Sequence, residues 1–296
     1  MAVIGAPVRR KEGLAKVTGR AVYLDDITRP GLLWGRTVRA DVPRGRLERI
    51  ELEPGPPWDE IVVVTARDIP GRNVVPLVAP DQPCLVEREI QHREEPVALL
   101  AHADREVLAR AAAAVRLVVT PAPAVLSLDA ATEVFTELTL ERGSVAAGLA
   151  GADLVVEGTY ETGAQEHLYI EPQAMLAEVG EDGSITVWGS LQCPYYVRPA
   201  VATVLGLPEE QVRVIQTTTG GGFGGKEEYP SMIACHAALL AARARRPVKI
   251  VYGRGEDMRA TTKRHPSRTR LRVGVSRDGR LLALQSELVL DGGAYL

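Results

Sequence analysis

Residues 216–228 read QTTTGGGFGGKEE, with five glycines and one phenylalanine in the six positions 220–225. Main chain without Cβ atoms can approach a ligand closely and aim several N–H groups at it, which suits an anionic group. A glycine-rich bulge or crossover is the competing structural explanation. As a phosphate loop, the run from Gly220 to Lys226 satisfies G-x-x-x-x-G-K. Glu227 then stands where a Ser or Thr hydroxyl would meet magnesium, and its carboxylate repels phosphate. As a dinucleotide loop, Gly220, Gly222 and Gly225 satisfy G-x-G-x-x-G between an expected strand and an expected helix. Lys226, Glu227, Glu228, Tyr229 and Pro230 delay that helix by a turn, so its N-terminus misses the pyrophosphate. An NADP-binding reductase is the alternative these residues leave open.

Glu166, His167 and Glu171 in QEHLYIEPQ suggest a metal or acid/base cluster. Glu166 and His167 are adjacent and face opposite sides of an expected strand, which argues against joint ligation and assigns the group to structure. Cys84, Cys193 and Cys235 lie far apart without a C-x-x-C pair, so neither an iron–sulfur cluster nor a zinc site is expected in this chain. Lys263, Arg264 and His265 in TTKRHP fit surface charge as well as cofactor support.

The 296 residues predict about two domains. With 46% hydrophobic and 25% charged residues, disorder, collagen and disulfide scaffolds are excluded. A formal charge of -3 without long like-charge blocks makes nucleic acid an unexpected partner. Thirty of the 35 basic residues are Arg and five are Lys, a skew that reads as compositional bias. The start, MAVIGAPVRRKEG, lacks a signal-peptide pattern and no apolar run approaches a membrane span, so no membrane association and a cytoplasmic, reducing compartment are expected.

Strands are expected at 33–40, 61–65 and 97–101. Asp104 is positioned to cap a helix over 105–115, where Leu108, Ala111, Ala112 and Val115 recur at helical spacing, and 116–120 returns as a strand. Prolines in TPAPAVLSLDAATEVF disfavour regular structure, so 121–135 reads as a linker between a domain at 1–120 and one at 136–296. The second part is strand-rich, at 155–162, 174–179, 185–190, 212–217, 248–252, 269–276 and 281–290. Leu271, Val273 and Val275 alternate with Arg270, Arg272 and Gly274, giving one buried and one wet face. A helix over 231–243 is apolar nearly all round and is expected to be buried. The terminal DGGAYL follows a strand with no closing element, which predicts either a partner polypeptide on that edge or a truncated gene.

Seven segments in order resemble the molybdenum subunit of the xanthine dehydrogenase and aldehyde oxidase family. They are GLAKVTGRAVYLDDITRPGLLWGRTVRA, TARDIPGRN, EEPVALLAHADREVLARAAAAVRLVV, QEHLYIEPQ, VWGSLQCPYYVR, GGGFGGKE and RRPVKIVYGRGEDMRATTKRHP. The first carries Gly13, Lys16, Gly19, Tyr23, Asp26, Pro30 and Gly31, and is similar to the opening of that family's hammerhead domain. The resemblance implies an α+β chain, with an N-terminal α/β hammerhead domain followed by a strand-rich, mixed α/β molybdopterin-binding domain incomplete at its C-terminus. It also implies hydroxylation of an N-heterocycle or aldehyde carbon with water as oxygen source.

By the same resemblance, Gln192 matches the glutamine that hydrogen-bonds the metal's apical oxo ligand, where a neutral amide can donate. Gly222, Phe223 and Gly224 match the loop running past the molybdenum, with its amides toward the cofactor and its ring lining the pocket. Glu227 matches the substrate-orienting glutamate of xanthine dehydrogenases, which tilts the expected substrate toward an N-heterocycle. No side chain here is expected to ligate the metal, which the pterin dithiolene holds. The implied cofactor is molybdenum-molybdopterin in its cytosine dinucleotide form, with [2Fe-2S] and FAD on partner subunits. The family's glutamate base and an arginine-bearing substrate loop would lie beyond Leu296. The chain alone is therefore expected to be inactive and to need the second half of the molybdenum subunit, an iron–sulfur subunit and an FAD subunit. A non-catalytic gene remnant is the last alternative.

Overall fold

The computed structural model describes residues 4–76 and 79–295. In chain order its elements begin with α1 (Gly13–Val17), β1 (Leu33–Arg39), β2 (Gly45–Leu52), β3 (Val62–Thr65), β4 (Glu89–Ile90), β5 (Pro96–His102), α2 (Arg105–Ala113) and β6 (Val115–Pro121). Then follow α3 (Val145–Ala150), β7 (Leu154–Thr162), β8 (Ala174–Val179), β9 (Ile185–Gly189), α4 (Pro194–Leu205) and β10 (Val212–Gln216). The chain closes with α5 (Pro230–Ala244), β11 (Val248–Val251), α6 (Arg254–Ala260), β12 (Ser267–Val275) and β13 (Leu281–Leu290).

The contacts divide into two compact units, Met1–Pro121 with Leu168–Thr261, and Ala122–His167 with Thr262–Leu296. The first holds a seven-stranded sheet of order β10-β9-β8-β11-β1-β5-β3, so strands from both sides of residues 121–135 share one sheet. The seam is the parallel pair β1–β11, with Leu33 opposite Val248. β11, VKIV, is apolar but for Lys249 and buried along most of its length, and β1 buries Leu33, Thr37 and Val38, as interior strands do. α5 covers one face of the sheet. Every residue from 230 to 241 is buried, as an all-round apolar sequence requires. α4 packs beside it, and Val197, Val201, Leu205, Ile233, Ala237 and Leu240 join one core. On the other side α2 closes over Val38, Ala98 and Leu100 with Leu108 and Ala111. Asp104 caps α2 through the Glu106 and Val107 amides.

The second unit carries a three-stranded antiparallel sheet of order β13-β12-β7, with α3 packed against β12 and β13. Cross-strand partners share a face, so the register places Leu154, Val156 and Tyr160 alongside Val275, Val273 and Thr269, with Leu284 and Leu288 beyond. This apolar face is not the buried one that the alternation predicts: Leu154, Val156, Tyr160, Leu284, Leu288 and Leu290 are each more than half exposed. Arg270 and Arg272 are exposed on the opposite face, as expected. No helix of the described residues is long and apolar enough to cross a membrane.

Candidate functional site

β9 and β10 run parallel, with Gly189 opposite Gln216. The two segments that leave their C-terminal ends, 190–193 and 217–229, therefore emerge side by side. Gln192 is bonded to the glycine loop at three points. Its N–H donates to the Lys226 carbonyl at 2.7 Å, and its Oε1 accepts from the amides of Gly224 at 3.1 Å and Lys226 at 3.3 Å. With Oε1 spent on the loop, Nε2 is an amide donor with no hydrogen-bond partner among the described residues. A Cβ on Gly222 would stand 2.2 Å from Gln192 Oε1, so only glycine lets main chain pass this close to the amide.

The loop is pinned elsewhere by one carboxylate. Glu171 Oε2 accepts from Gly220 N at 2.6 Å, from Ser190 Oγ at 2.5 Å and from Lys226 Nζ at 3.2 Å. Lys226 also donates to Ser190 Oγ at 2.8 Å, and its side chain is fully buried against the face of the Tyr169 ring. Burial pulls the Lys226 ammonium below its ordinary pKa, against the attraction of Glu171. Behind this lies a second buried set. Asp257 accepts from Tyr169 Oη at 2.7 Å and from Gln173 N at 2.7 Å, while Gln173 Nε2 donates to the Gly225 carbonyl at 2.7 Å. Burial, then Asp257, raises the Tyr169 phenol well above its ordinary range, so it stays a donor.

These bonds use the amides of Gly220, Gly224 and Lys226, and turn bonds use those of Gly225 and Glu227. Gly221, Gly222 and Phe223 are left as consecutive N–H donors with no partner among the described residues. Gly221 and Gly224 have positive φ, and so does Phe223 at 54°, a conformation costly for a residue with a side chain. The Phe223 ring is 77% exposed and takes no part in the core.

Glu227 and Glu228 are both exposed. Their carboxylates reach Cys193, next to Gln192; burial first and then these charges hold its thiol above the ordinary value. Glu166 and His167 sit in irregular chain after β7 rather than on a strand, so the opposed-faces premise does not apply there. Glu166 faces Lys263 at 2.6 Å, and His265 bonds the Asp291 carbonyl. Glu171, which the sequence grouped with them, belongs to the glycine loop. Sequence reasoning missed Glu171, Lys226 and Asp257 as site-forming groups, because a buried lysine and its carboxylate carry no spacing signature.

Residues 18–121 match the aldehyde oxidase and xanthine dehydrogenase a/b hammerhead domain, and residues 128–296 match the molybdopterin cofactor-binding domain. The chain belongs to the xanthine dehydrogenase and aldehyde oxidase family. Its relatives include the nicotinate dehydrogenase large molybdopterin subunit of Eubacterium barkeri, 33% identical over 99% of this chain and 71% of that protein. The xanthine dehydrogenase of Dictyostelium discoideum is 31% identical over 98% of this chain and 22% of its own length. Among solved structures, quinoline 2-oxidoreductase from Pseudomonas putida 86 superposes with a TM-score of 0.82 at 26% identity, covering 97% of this chain and 39% of that one. The aldehyde oxidoreductase of Desulfovibrio gigas has the same fold, with a TM-score of 0.83 at 24% identity over 95% of this chain and 34% of that one. The α+β reading with hammerhead and molybdopterin-binding domains thus holds. β10 and β11 are separated in the sheet by β9 and β8, so the glycine run is not set between neighbouring strands of a dinucleotide βαβ unit.

The residues present fit an anionic pterin group. Three consecutive unspent amides and the Gln192 Nε2 are fixed donors. A further buried donor, Arg254 Nη1, has no partner among the described residues, while its Nη2 holds the Tyr169 and Ile170 carbonyls at 2.7 and 2.6 Å.

Proposed function

We propose that the chain is a component of a molybdenum hydroxylase acting on an N-heterocycle or aldehyde, with 1–120 as hammerhead, 121–135 as linker and 136–296 as the first part of the cofactor domain. The observation that carries this is the run of unspent amides at Gly221, Gly222 and Phe223 beside the free Nε2 of Gln192. Bound there, a molybdenum-molybdopterin group in its cytosine dinucleotide form supplies two-electron oxidation of a substrate carbon, with water as oxygen source.

This chain's residues bind and orient. The three loop amides place N–H dipoles against negative charge without reorganising. Gln192, its carbonyl tied to the loop, would present only its N–H₂ to the bound group. The exposed Phe223 ring supplies a pocket wall, and Glu227 hydrogen-bonds a ring nitrogen of a heterocyclic substrate.

The reading includes partners: a second polypeptide with the glutamate base, an iron–sulfur subunit and an FAD subunit. The exposed apolar face of β7, β12 and β13 supports a covering polypeptide, since an uncovered face of this kind marks an interaction surface. Co-expression with the adjacent reading frames, purification and assay of molybdenum and released cytidine nucleotide tests the proposal. Both should co-purify with the complex. Retention of NADPH with no molybdenum would replace it with the reductase reading.

A further inference from the structure

The glycine loop has no rigidity of its own. Glycine-rich chain populates many conformations, and Phe223 holds a left-handed φ that costs free energy. Contacts from outside the loop must hold its one conformation. Gln192 and Gln173 bond its second half, and one further set joins its two ends. A single oxygen, Glu171 Oε2, lies 2.6 Å from Gly220 N at the loop's start and 3.2 Å from Lys226 Nζ at its end. Ser190 Oγ, at the end of β9, donates to that oxygen and accepts from the same ammonium, closing a triangle anchored on the sheet. The Glu171 N–H also donates to the Gly220 carbonyl at 3.2 Å, so Gly220 is gripped on both of its polar groups.

Chemistry supports a lysine here. The Lys226 side chain is fully buried. A compact ammonium fits between a carboxylate, a hydroxyl and a ring face, whereas a planar guanidinium needs more room. A buried ion pair adds little net stability over an apolar replacement but can fix one conformation.

We propose that Lys226 and Glu171 are positioning residues, a buried clamp that joins the two ends of the glycine loop and holds the Gly221–Phe223 amides in their ligand-facing arrangement. That these amides face a molybdenum-pterin group rests on the function proposed above; the clamp itself does not.

The chain contains two phenylalanines, Phe223 in the loop and Phe135 beside Gly292 in the other compact unit. Labelling the full chain with 4-fluorophenylalanine therefore gives one fluorine resonance for the loop and one internal reference. In Lys226→Met and in Glu171→Gln the Phe223 resonance should shift toward its position in the denatured chain, with Phe135 unmoved, while the Gln192 and Gln173 bonds still hold the loop's second half. If a lone buried charge prevents folding, the double variant Glu171→Gln/Lys226→Met removes both charges of the pair together and should fold while showing the same shift. Lys249→Met removes a lysine equally buried but bonded to the Asp25 and Ile27 carbonyls, and should leave the Phe223 resonance in place. A Phe223 resonance unchanged in the folded double variant, or displaced as far by Lys249→Met, overturns the clamp. Molybdenum content of the unlabelled wild-type complex is measured separately, so failure of the cofactor reading and failure of the clamp are distinct results.

Discussion

A side chain at Gly222 would collide with the Gln192 amide: a Cβ there stands 2.2 Å from Oε1, the same oxygen that receives the Gly224 and Lys226 amides. Gly222→Ala must then push out either Gln192 or the loop. On the function proposed above, we expect co-purified molybdenum to fall about tenfold or more, the size of loss met when a group supporting a metal site is displaced. The fold should survive, because the collision is with a side chain at the sheet's end and not with the core under α5. Metal analysis beside a thermal melt checks this. Full molybdenum content in the variant would mean that the Gln192–loop contact is dispensable.

Cys193 offers a direct measure of where Glu227 sits. Cys84 and Cys235 are fully buried, so Cys193 is the accessible thiol among the three. Its pKa is raised by burial and by the Glu227 and Glu228 carboxylates. Glu227→Gln removes one of those charges, so the thiolate fraction rises and alkylation by iodoacetamide near neutral pH should accelerate roughly twofold to tenfold. Rate against pH should show the whole curve moved to lower pH. An unmoved curve would place Glu227 too far from Gln192 to share a substrate with it.

Period and composition make most elements legible in the sequence alone. The nearly all-round apolar 231–243 announces the buried α5, and Asp104 announces the start of α2. α4 is not legible, because Pro194 and Pro199 both read as breakers. Pro194 falls in the first turn, where no amide bond is lost, and packing of Val197, Val201 and Leu205 carries Pro199 in the interior. β2 is missed as well, because GRLERIEL is half charged. The seven-stranded sheet is hidden for a different reason: β1 and β11 are far apart in sequence, and no local pattern encodes their pairing. At the site, resemblance points to Gln192 and the loop. The partners of Oε1, which decide what Gln192 has left to offer, follow only from geometry.

Asp257 is the hub of the set behind the loop, and its loss separates stability from site geometry. It accepts from Tyr169 Oη and from the Gln173 amide, both buried. Asp257→Ala leaves those donors without an acceptor, at about 1–3 kcal/mol for each. Tyr169→Phe leaves Asp257 Oδ1 without its hydroxyl donor but keeps the Gln173 N–H bond to Oδ2 and the Gln173 Nε2 bond to the Gly225 carbonyl, so it should cost less, about 1–3 kcal/mol in all. Urea unfolding of both variants gives the comparison. Equal costs would mean that the Gln173 amide finds another acceptor once Asp257 is gone.

Lys226 makes a pH-dependent prediction whose sign is opposite to that of a surface lysine in an ion pair. Its folded pKa lies below the ordinary value of 10.5, because burial outweighs Glu171. Between the lowered folded value and 10.5 the unfolded chain keeps a proton that the folded chain has released. Folding is then penalised by protonation, and stability contributed at this residue rises with pH through that window and is flat on either side. Lys226→Met has no such titration. The stability of wild type minus that of the variant, from urea unfolding at intervals over about pH 8 to 11, should therefore climb with pH and level off above the ordinary lysine value. Tyrosines and the other lysines titrate in the same range but cancel in the difference. A difference that falls with rising pH would show that Glu171, and not burial, sets the ammonium's pKa, and that the ion pair is stronger than its surroundings suggest.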